Sequence, residues 1–206
     1  MGVLASGGGT NLQAILNRSA SGRLPARVGV VIGNNSKSGA LVRARRAGVP
    51  AIHLSGRTHP QPGSLDRAIS ETLRSHGVNL VVLAGYMKKL GPATLESYRN
   101  RIVNIHPALL PAFGGKGMFG KRVHEAVVQS GAQVSGATVH LVDEEYDTGP
   151  IILQRRIRVA PEDTPDSLAG KVLAVEHELY AEAIRLFAEG KIRVDGRNVR
   201  ILSERR

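Results

Sequence analysis

Short apolar runs separated by turn-forming residues dominate the first hundred positions. Val3-Leu4-Ala5, Val28-Gly29-Val30-Val31-Ile32 and Leu80-Val81-Val82-Leu83-Ala84 are apolar on both faces, as buried parallel strands are. Between them Leu12, Ile15 and Leu16 recur at helical spacing, and a basic helix runs to Gly48. Ala51-Ile52-His53-Leu54 reads as extended, and Leu65, Ala68, Ile69 and Leu73 form the inner face of a third helix ending near Gly77. After a short helical segment at Ala93–Tyr98, Ile102, Val103 and Ile105 make a strand that Pro107 ends, because proline supplies no ladder donor.

The second half is less regular. A glycine-rich loop, Phe113–Gly120, leads into a helix ending near Gln129. Ala137–Val142 and Ile151–Val159 are two further strands, joined by an acidic loop, Asp143 to Gly149. An amphipathic helix then spans roughly 165–189, with Leu168, Val172, Val175, Leu179, Ile184 and Phe187 inward. The tail from Ile192 to Ile201 reads as a β-hairpin about the Asp195-Gly196 turn. Strands alternating with helices predict an α/β, doubly wound and mostly parallel sheet, with some antiparallel pairing late in the chain. Ligands of such sheets bind outside the carboxyl ends of the strands.

Composition narrows the chemistry. A chain of 206 residues fits one α/β domain. With no cysteine, disulfides and thiolate metal sites are excluded. No signal peptide or membrane-length apolar run is present, so a soluble, cytoplasmic protein is expected. The net charge of +11 would suit nucleic acid or an anionic small substrate. The charges are dispersed, with local groups at Arg43, Arg45, Arg46 and at Arg155, Arg156, Arg158, and only 3% of residues are aromatic. Solvated arginine-rich faces are the better reading, and no nucleic-acid partner is expected.

Four segments carry candidate chemistry. Ser6-Gly7-Gly8-Gly9-Thr10-Asn11 joins a strand to a helix, where backbone amides can approach an anion. It lacks the Lys-Ser/Thr of a Walker loop, and position 12 is Leu where a dinucleotide fingerprint needs glycine. A monophosphate fits better, against the alternative of a tight turn with no ligand. Asn104 and His106 share one face of their strand, so they are either a site or a polar strand end in water. As a site they offer an amide donor beside an imidazole that titrates near neutrality, which suits a tetrahedral oxyanion. The loop after them is either mobile surface or a closing element.

The acidic loop has four carboxylates in five positions, Asp143, Glu144, Glu145 and Asp147. It shows no EF-hand spacing, and His140 is the one histidine close by, so no metal is expected. Asp147, fixed by Thr148-Gly149-Pro150, is suited to raise the pKa of a neighbouring imidazole and orient it. Whether it meets His106 is left to the tertiary structure. No Gly-x-Ser-x-Gly elbow occurs, so covalent catalysis has little support. Transfer of an acyl-type group between two ligands fits this inventory.

Leu4–Ile15, Leu83-Ala84-Gly85-Tyr86-Met87, Asn104-Ile105-His106-Pro107-Ala108-Leu109-Leu110-Pro111 and Asp147-Thr148-Gly149-Pro150-Ile151 closely resemble, in order and spacing, the phosphoribosylglycinamide formyltransferases of purine biosynthesis. The resemblance covers nearly the whole chain. It implies a Rossmann-like, seven-stranded formyltransferase domain over residues 1–206, with a C-terminal long helix and hairpin. Residues 1–100 would form the phosphate-binding half and 101–206 the catalytic and folate-binding half.

It also implies 10-formyltetrahydrofolate as co-substrate, and a monomer or homodimer. By the same resemblance Gly9, Thr10 and Asn11 hold the phosphate of glycinamide ribonucleotide, and Glu176 binds its ribose side. Tyr86, Met87, Lys88, Lys89 and Leu90, with Asn104 and Asp143, line the folate site. Asn104, His106 and Asp147 are the catalytic trio, with His140 behind them. An arginine that many members carry before the third helix is absent, where Pro62-Gly63-Ser64 stand. Lys88-Lys89 also departs from the commoner arginine and apolar pair.

Competing expectations are a formyltetrahydrofolate hydrolase, a methionyl-tRNA formyltransferase and a basic RNA-binding module. The hydrolase would need an N-terminal regulatory domain and the tRNA enzyme a C-terminal one. The RNA module leaves Asn104, His106 and Asp147 unexplained.

Overall fold

The computed structural model describes residues 1–202. Its elements run β1 (Gly2–Ala5), α1 (Thr10–Ala20), β2 (Val30–Gly33), α2 (Gly39–Arg46), β3 (Ala51–His53), α3 (Ser64–Ser75), β4 (Val81–Leu83), α4 (Pro92–Ser97), β5 (Ile102–His106), α5 (Lys121–Gln129), β6 (Val134–Leu141), β7 (Ile151–Arg158), α6 (Pro165–Ala188), β8 (Ile192–Asp195) and β9 (Asn198–Ile201). Seven strands make one sheet in the order β3-β2-β1-β4-β5-β6-β7, and β8 and β9 form a separate pair. The expected α/β architecture, mostly parallel with a long C-terminal helix and hairpin, is what forms. Contacts divide the chain into two compact units, Met1–Asn104 and Ile105 onward.

In the first unit β1 pairs in parallel with both β2 and β4, so the strand order reverses direction beside β1. That reversal leaves a crevice at the carboxyl ends of β1 and β4, the usual ligand position in such sheets. Helices α1 and α2 pack together, as do α3 and α4, the pairing that right-handed crossovers give in such a sheet. Val3, Leu4, Val31, Ile32 and Val82 lie at the centre of this core, all buried. The second strand starts two residues later than its apolar run suggests, because β1 begins only at Gly2, opposite Val30. On α3 the inner face is Ile69, Ser70 and Leu73, whereas Leu65 and Ala68 are half-buried. Ser70 is tolerated inside because its hydroxyl donates to Ser97 Oγ at 3.1 Å.

Asp66, in the first turn of α3, caps a second helix. Its carboxylate accepts from the backbone N–H of Ala93 and Thr94 and from the Thr94 hydroxyl, at 2.7, 3.1 and 2.6 Å. The orphan donors at the start of α4 are thereby satisfied from another helix. This anchors the far end of the Gly85–Leu90 segment.

In the second unit β6 and β7 run antiparallel, with a register shift between Val139 and His140. A bulge of this kind re-aims side chains at the end of a strand. Helix α6 packs on α5, β6 and β7. Its Leu168, Val172, Leu179 and Ile184 are buried as expected, but Val175 and Phe187 are only half-buried. Glu176, Tyr180 and Leu186 are buried in addition, because a helix touching three elements needs a broad apolar face rather than a narrow stripe. The hairpin turn is Gly196-Arg197, one residue later than expected, since Asp195 still pairs with Asn198. No described helix is long and apolar enough to cross a membrane.

Candidate active site

The loop after β1 is shaped by close approach. Gly9 has φ +77°, and a Cβ there would lie 2.7 Å from Ala40 Cα. Gly39 is equally constrained, its missing Cβ falling 2.7 Å from the Gly8 carbonyl oxygen. Only glycine meets both demands. Helix α2 then braces the loop: Ala40 N–H donates to the Gly7 carbonyl at 3.1 Å, and Arg43 Nε to the Gly8 carbonyl at 2.9 Å. Arg43 Nη1 also donates to Gln13 Oε1 at 3.0 Å. Arg43 is thus a brace rather than part of a solvated face, a role that charge patterning gave no sign of.

With Gly8 and Gly9 so held, the N-terminus of α1 opens with Thr10 exposed and Asn11 half-buried. Its first-turn N–H groups and the helix dipole make it suitable for a phosphate. The loop after β4 is tied to the same place, with Ser6 N–H donating to the Gly85 carbonyl at 3.0 Å and Met87 N–H to Ser6 Oγ at 2.8 Å. Met87, Lys88 and Lys89 are exposed, Leu90 is buried and Tyr86 half-buried. Burial, reinforced by the Asp66 carboxylate, pushes the Tyr86 hydroxyl up to about 12.

Asn104 and His106 are two residues apart on β5, the first half-buried and the second buried. Within the second unit three segments meet at Asp147. Its Oδ2 lies 3.4 Å from His106 Nδ1, and its Oδ1 lies 3.5 Å from His140 Nε2. Gly115 N–H donates to Oδ2 at 2.9 Å, and the Asp147 backbone is left-handed, at φ +59°. Gly114 packs against this carboxylate: a Cβ there would be 3.3 Å from Asp147 Cβ and 2.4 Å from Leu110 Cδ2.

The other nitrogen of each imidazole is bound to a carbonyl. His106 Nε2 lies 2.8 Å from the Phe113 carbonyl oxygen and His140 Nδ1 lies 2.7 Å from that of Leu141. A carbonyl only accepts, so His106 Nε2 and His140 Nδ1 each carry a hydrogen toward their carbonyl, and the second nitrogen of each ring faces Asp147.

The electrostatics follow. Burial dominates His106 and holds it below its ordinary value, although Asp147 and the Phe113 carbonyl pull it up. Asp147 therefore exerts the expected upward pull on the imidazole, but burial is the larger effect. Burial likewise pushes Asp147 up, yet the contact with His140, the charge of His106 and the Gly115 N–H together bring it below the usual carboxylate range.

A further support was not visible in the sequence. Thr138 Oγ1 donates to the Ala108 carbonyl at 2.6 Å and accepts from Leu110 N–H at 3.1 Å and Gln154 Nε2 at 2.9 Å. Gln154 Nε2 also lies 2.9 Å from the Leu110 carbonyl. One hydroxyl, fully used, pins the segment between His106 and Phe113. Threonine and glutamine in strands are too common to have drawn notice.

Glu176 is buried on α6, and Asp143 is half-buried at the start of the acidic loop. Asp143 Oδ1 accepts from Glu145 N–H at 3.2 Å and from Thr148 Oγ1 at 2.8 Å, closing that loop on itself. No group of side chains with metal-binding arrangement occurs among the described residues.

The chain is thus an α/β sheet with a glycine-shaped loop after β1 and a buried His-Asp-His cluster. The sequence model of the formyl transferase family matches residues 1–184, and the chain belongs to that family. It is 48% identical to glycinamide ribonucleotide transformylase 1 from Symbiobacterium toebii, a solved structure with a TM-score of 0.92, covering 98% of this chain and 93% of that one. It is 37% identical over 192 residues to phosphoribosylglycinamide formyltransferase from Haemophilus influenzae, covering 93% of this chain and 88% of the relative. The chloroplastic phosphoribosylglycinamide formyltransferase of Vigna unguiculata is 43% identical over 199 residues, which is 95% of this chain. This chain spans 64% of that plant relative's length.

Proposed function

We propose that this protein transfers the formyl group of 10-formyltetrahydrofolate to the amine of N1-(5-phosphoribosyl)glycinamide. The products are the N-formyl nucleotide and tetrahydrofolate, a cytoplasmic step of de novo purine (IMP) synthesis. The observation that carries the reading is Asp147 clamped between His106 and His140, in a chain with no cysteine nucleophile. Such a site moves protons and stabilises charge, while the attacking group belongs to the substrate. The family and the names of its relatives supply the group that is moved.

On this reading the glycinamide amine attacks the formyl carbon and a carbon–nitrogen bond forms. The oxyanion that develops accepts hydrogen bonds from the Asn104 amide and from His106. His106 presents its Nε2 proton there, passing it from the Phe113 carbonyl to the oxyanion, and Asp147 holds the ring through Nδ1 and favours its charged form. The attacking nitrogen loses a proton and the folate N10 gains one as the original carbon–nitrogen bond breaks. His106 or a water carries that proton. Gly9, Thr10 and Asn11 hold the substrate phosphate and Glu176 the ribose side. The folate lies against Tyr86, Met87, Lys88, Lys89 and Leu90, with Asp143 and Asn104.

The test is formyl transfer from 10-formyltetrahydrofolate to glycinamide ribonucleotide by wild type, Asn104→Ala and His106→Ala. Losing one oxyanion donor should lower kcat by about 10²–10³ with the fold retained. Wild type that transfers nothing, or variants at full rate, would refute the reading. Formate release without acceptor would instead favour a hydrolase.

A further inference from the structure

The family match stops at residue 184, and the β8–β9 hairpin lies beyond it. The tip of that hairpin nevertheless touches the loop that carries Asp147. Arg197 Nη2 donates to the Thr148 carbonyl oxygen, and Arg197 Nη1 lies 3.7 Å from Asp143 Oδ2. One guanidinium thus reaches the first residue of the acidic loop and the residue after Asp147. A planar fork suits such a two-point contact, and a lysine ammonium does not reproduce it.

The loop is also held from within and from the cluster side, where Gly115 N–H donates to Asp147 Oδ2 at 2.9 Å. Its internal bonds run from Asp143 to Glu145 N–H and Thr148 Oγ1. Its lower end is set at Gly149, where a Cβ would lie 1.8 Å from the Leu141 carbonyl oxygen. Between these sits Asp147, in the left-handed region that aspartate tolerates better than most non-glycine residues. Arg197 stands on the outer side of that turn, with its side chain 72% exposed. An isolated ion pair so exposed would contribute little. The bond to the Thr148 carbonyl, however, acts on the backbone next to Asp147.

We infer that Arg197 is a positioning residue: the C-terminal hairpin clamps the Asp143–Thr148 loop, and so sets Asp147 against His106 and the surface offered to the formyl donor. The part concerning the donor rests on the function proposed above. The clamp itself does not.

The experiment compares wild type, Arg197→Ala and Arg197→Lys by amide hydrogen exchange and by steady-state kinetics with each substrate varied. In Arg197→Ala, exchange at residues 144–149 should accelerate by about tenfold, as for a loop that opens more readily. The KM for 10-formyltetrahydrofolate should rise by about five- to tenfold, the size expected for one ordinary hydrogen bond at an exposed site. The KM for glycinamide ribonucleotide should stay within about twofold, and Arg197→Lys should fall between wild type and alanine. A merely structural hairpin would lower the melting temperature and leave the two KM values in their wild-type ratio. Unchanged exchange would overturn the clamp, and faster exchange with an unchanged donor KM would overturn its role in the reaction. If wild type transfers no formyl group, the proposed function fails while the exchange result still judges the clamp.

Discussion

The phosphate-type loop of the first unit and the His-Asp-His cluster of the second are built on opposite principles. The loop is a contiguous run of backbone, shaped by what its glycines lack and braced by a neighbouring helix through Ala40 and Arg43. The cluster is made of side chains from three separate segments, each aimed by a bond from its far side: Phe113 behind His106, Leu141 behind His140 and Gly115 onto Asp147. Main-chain N–H groups are fixed in charge, so a site made of them binds the same way at every pH. Imidazoles and a carboxylate in a buried place exchange protons. The first arrangement suits holding a phosphate and the second suits chemistry.

Damage to the two should therefore look different. Asp147→Asn is expected to have the largest effect, lowering kcat by about 10²–10³ while leaving KM for the ribonucleotide near its wild-type value. Gly9→Ala should do the reverse. An L-residue at φ +77° costs about 1–2 kcal/mol, and its Cβ would press on Ala40, so KM for the ribonucleotide should rise about tenfold with kcat little changed. If Gly9→Ala lowers kcat alone, the division between holding and chemistry is wrong.

Subtler tests probe how the cluster is held. Thr138→Val leaves the Leu110 N–H and the Ala108 carbonyl without their buried partner, and should cost about 1–3 kcal/mol in urea unfolding with an unchanged slope. NMR titration of His106 measures the smallest effect. Its folded value is depressed, so the neutral ring's contribution to stability is complete above the unfolded value of about 6.5. That contribution is lost as pH falls through the folded value. Asp147→Asn removes the chief upward pull and should depress His106 further; a titration moving upward would show that the carboxylate is not what pulls this imidazole up.

Most of the parallel half was readable without a structure, because apolar runs on both strand faces and helical spacing between them are local properties. The Ser6–Asn11 loop was readable for the same reason, since glycines at a strand-to-helix turn state their backbone need in consecutive letters. Asn104 and His106 shared a face by strand parity alone. What sits behind them did not show: Thr138 and Gln154 look like ordinary strand residues until a hydroxyl is found satisfying both sides of the Pro107–Ala112 segment. Arg43 and Arg197 looked like surface charge because each donates to a main-chain carbonyl, a partner that every residue has and no pattern distinguishes.

The residue types at the site were thus determined by the sequence itself: a glycine loop, an amide and imidazole pair, a carboxylate before a turn, and no cysteine. Only the tertiary structure decided that Asp147 meets both His106 and His140. One contact spans 41 residues and the other seven across a strand end, and both depend on a register shift in β6, a left-handed turn and the packing of Gly114. It alone decided, too, that burial outweighs the carboxylate at His106. Desolvation depends on everything surrounding a ring, and that is a property of the packed chain rather than of any stretch of it.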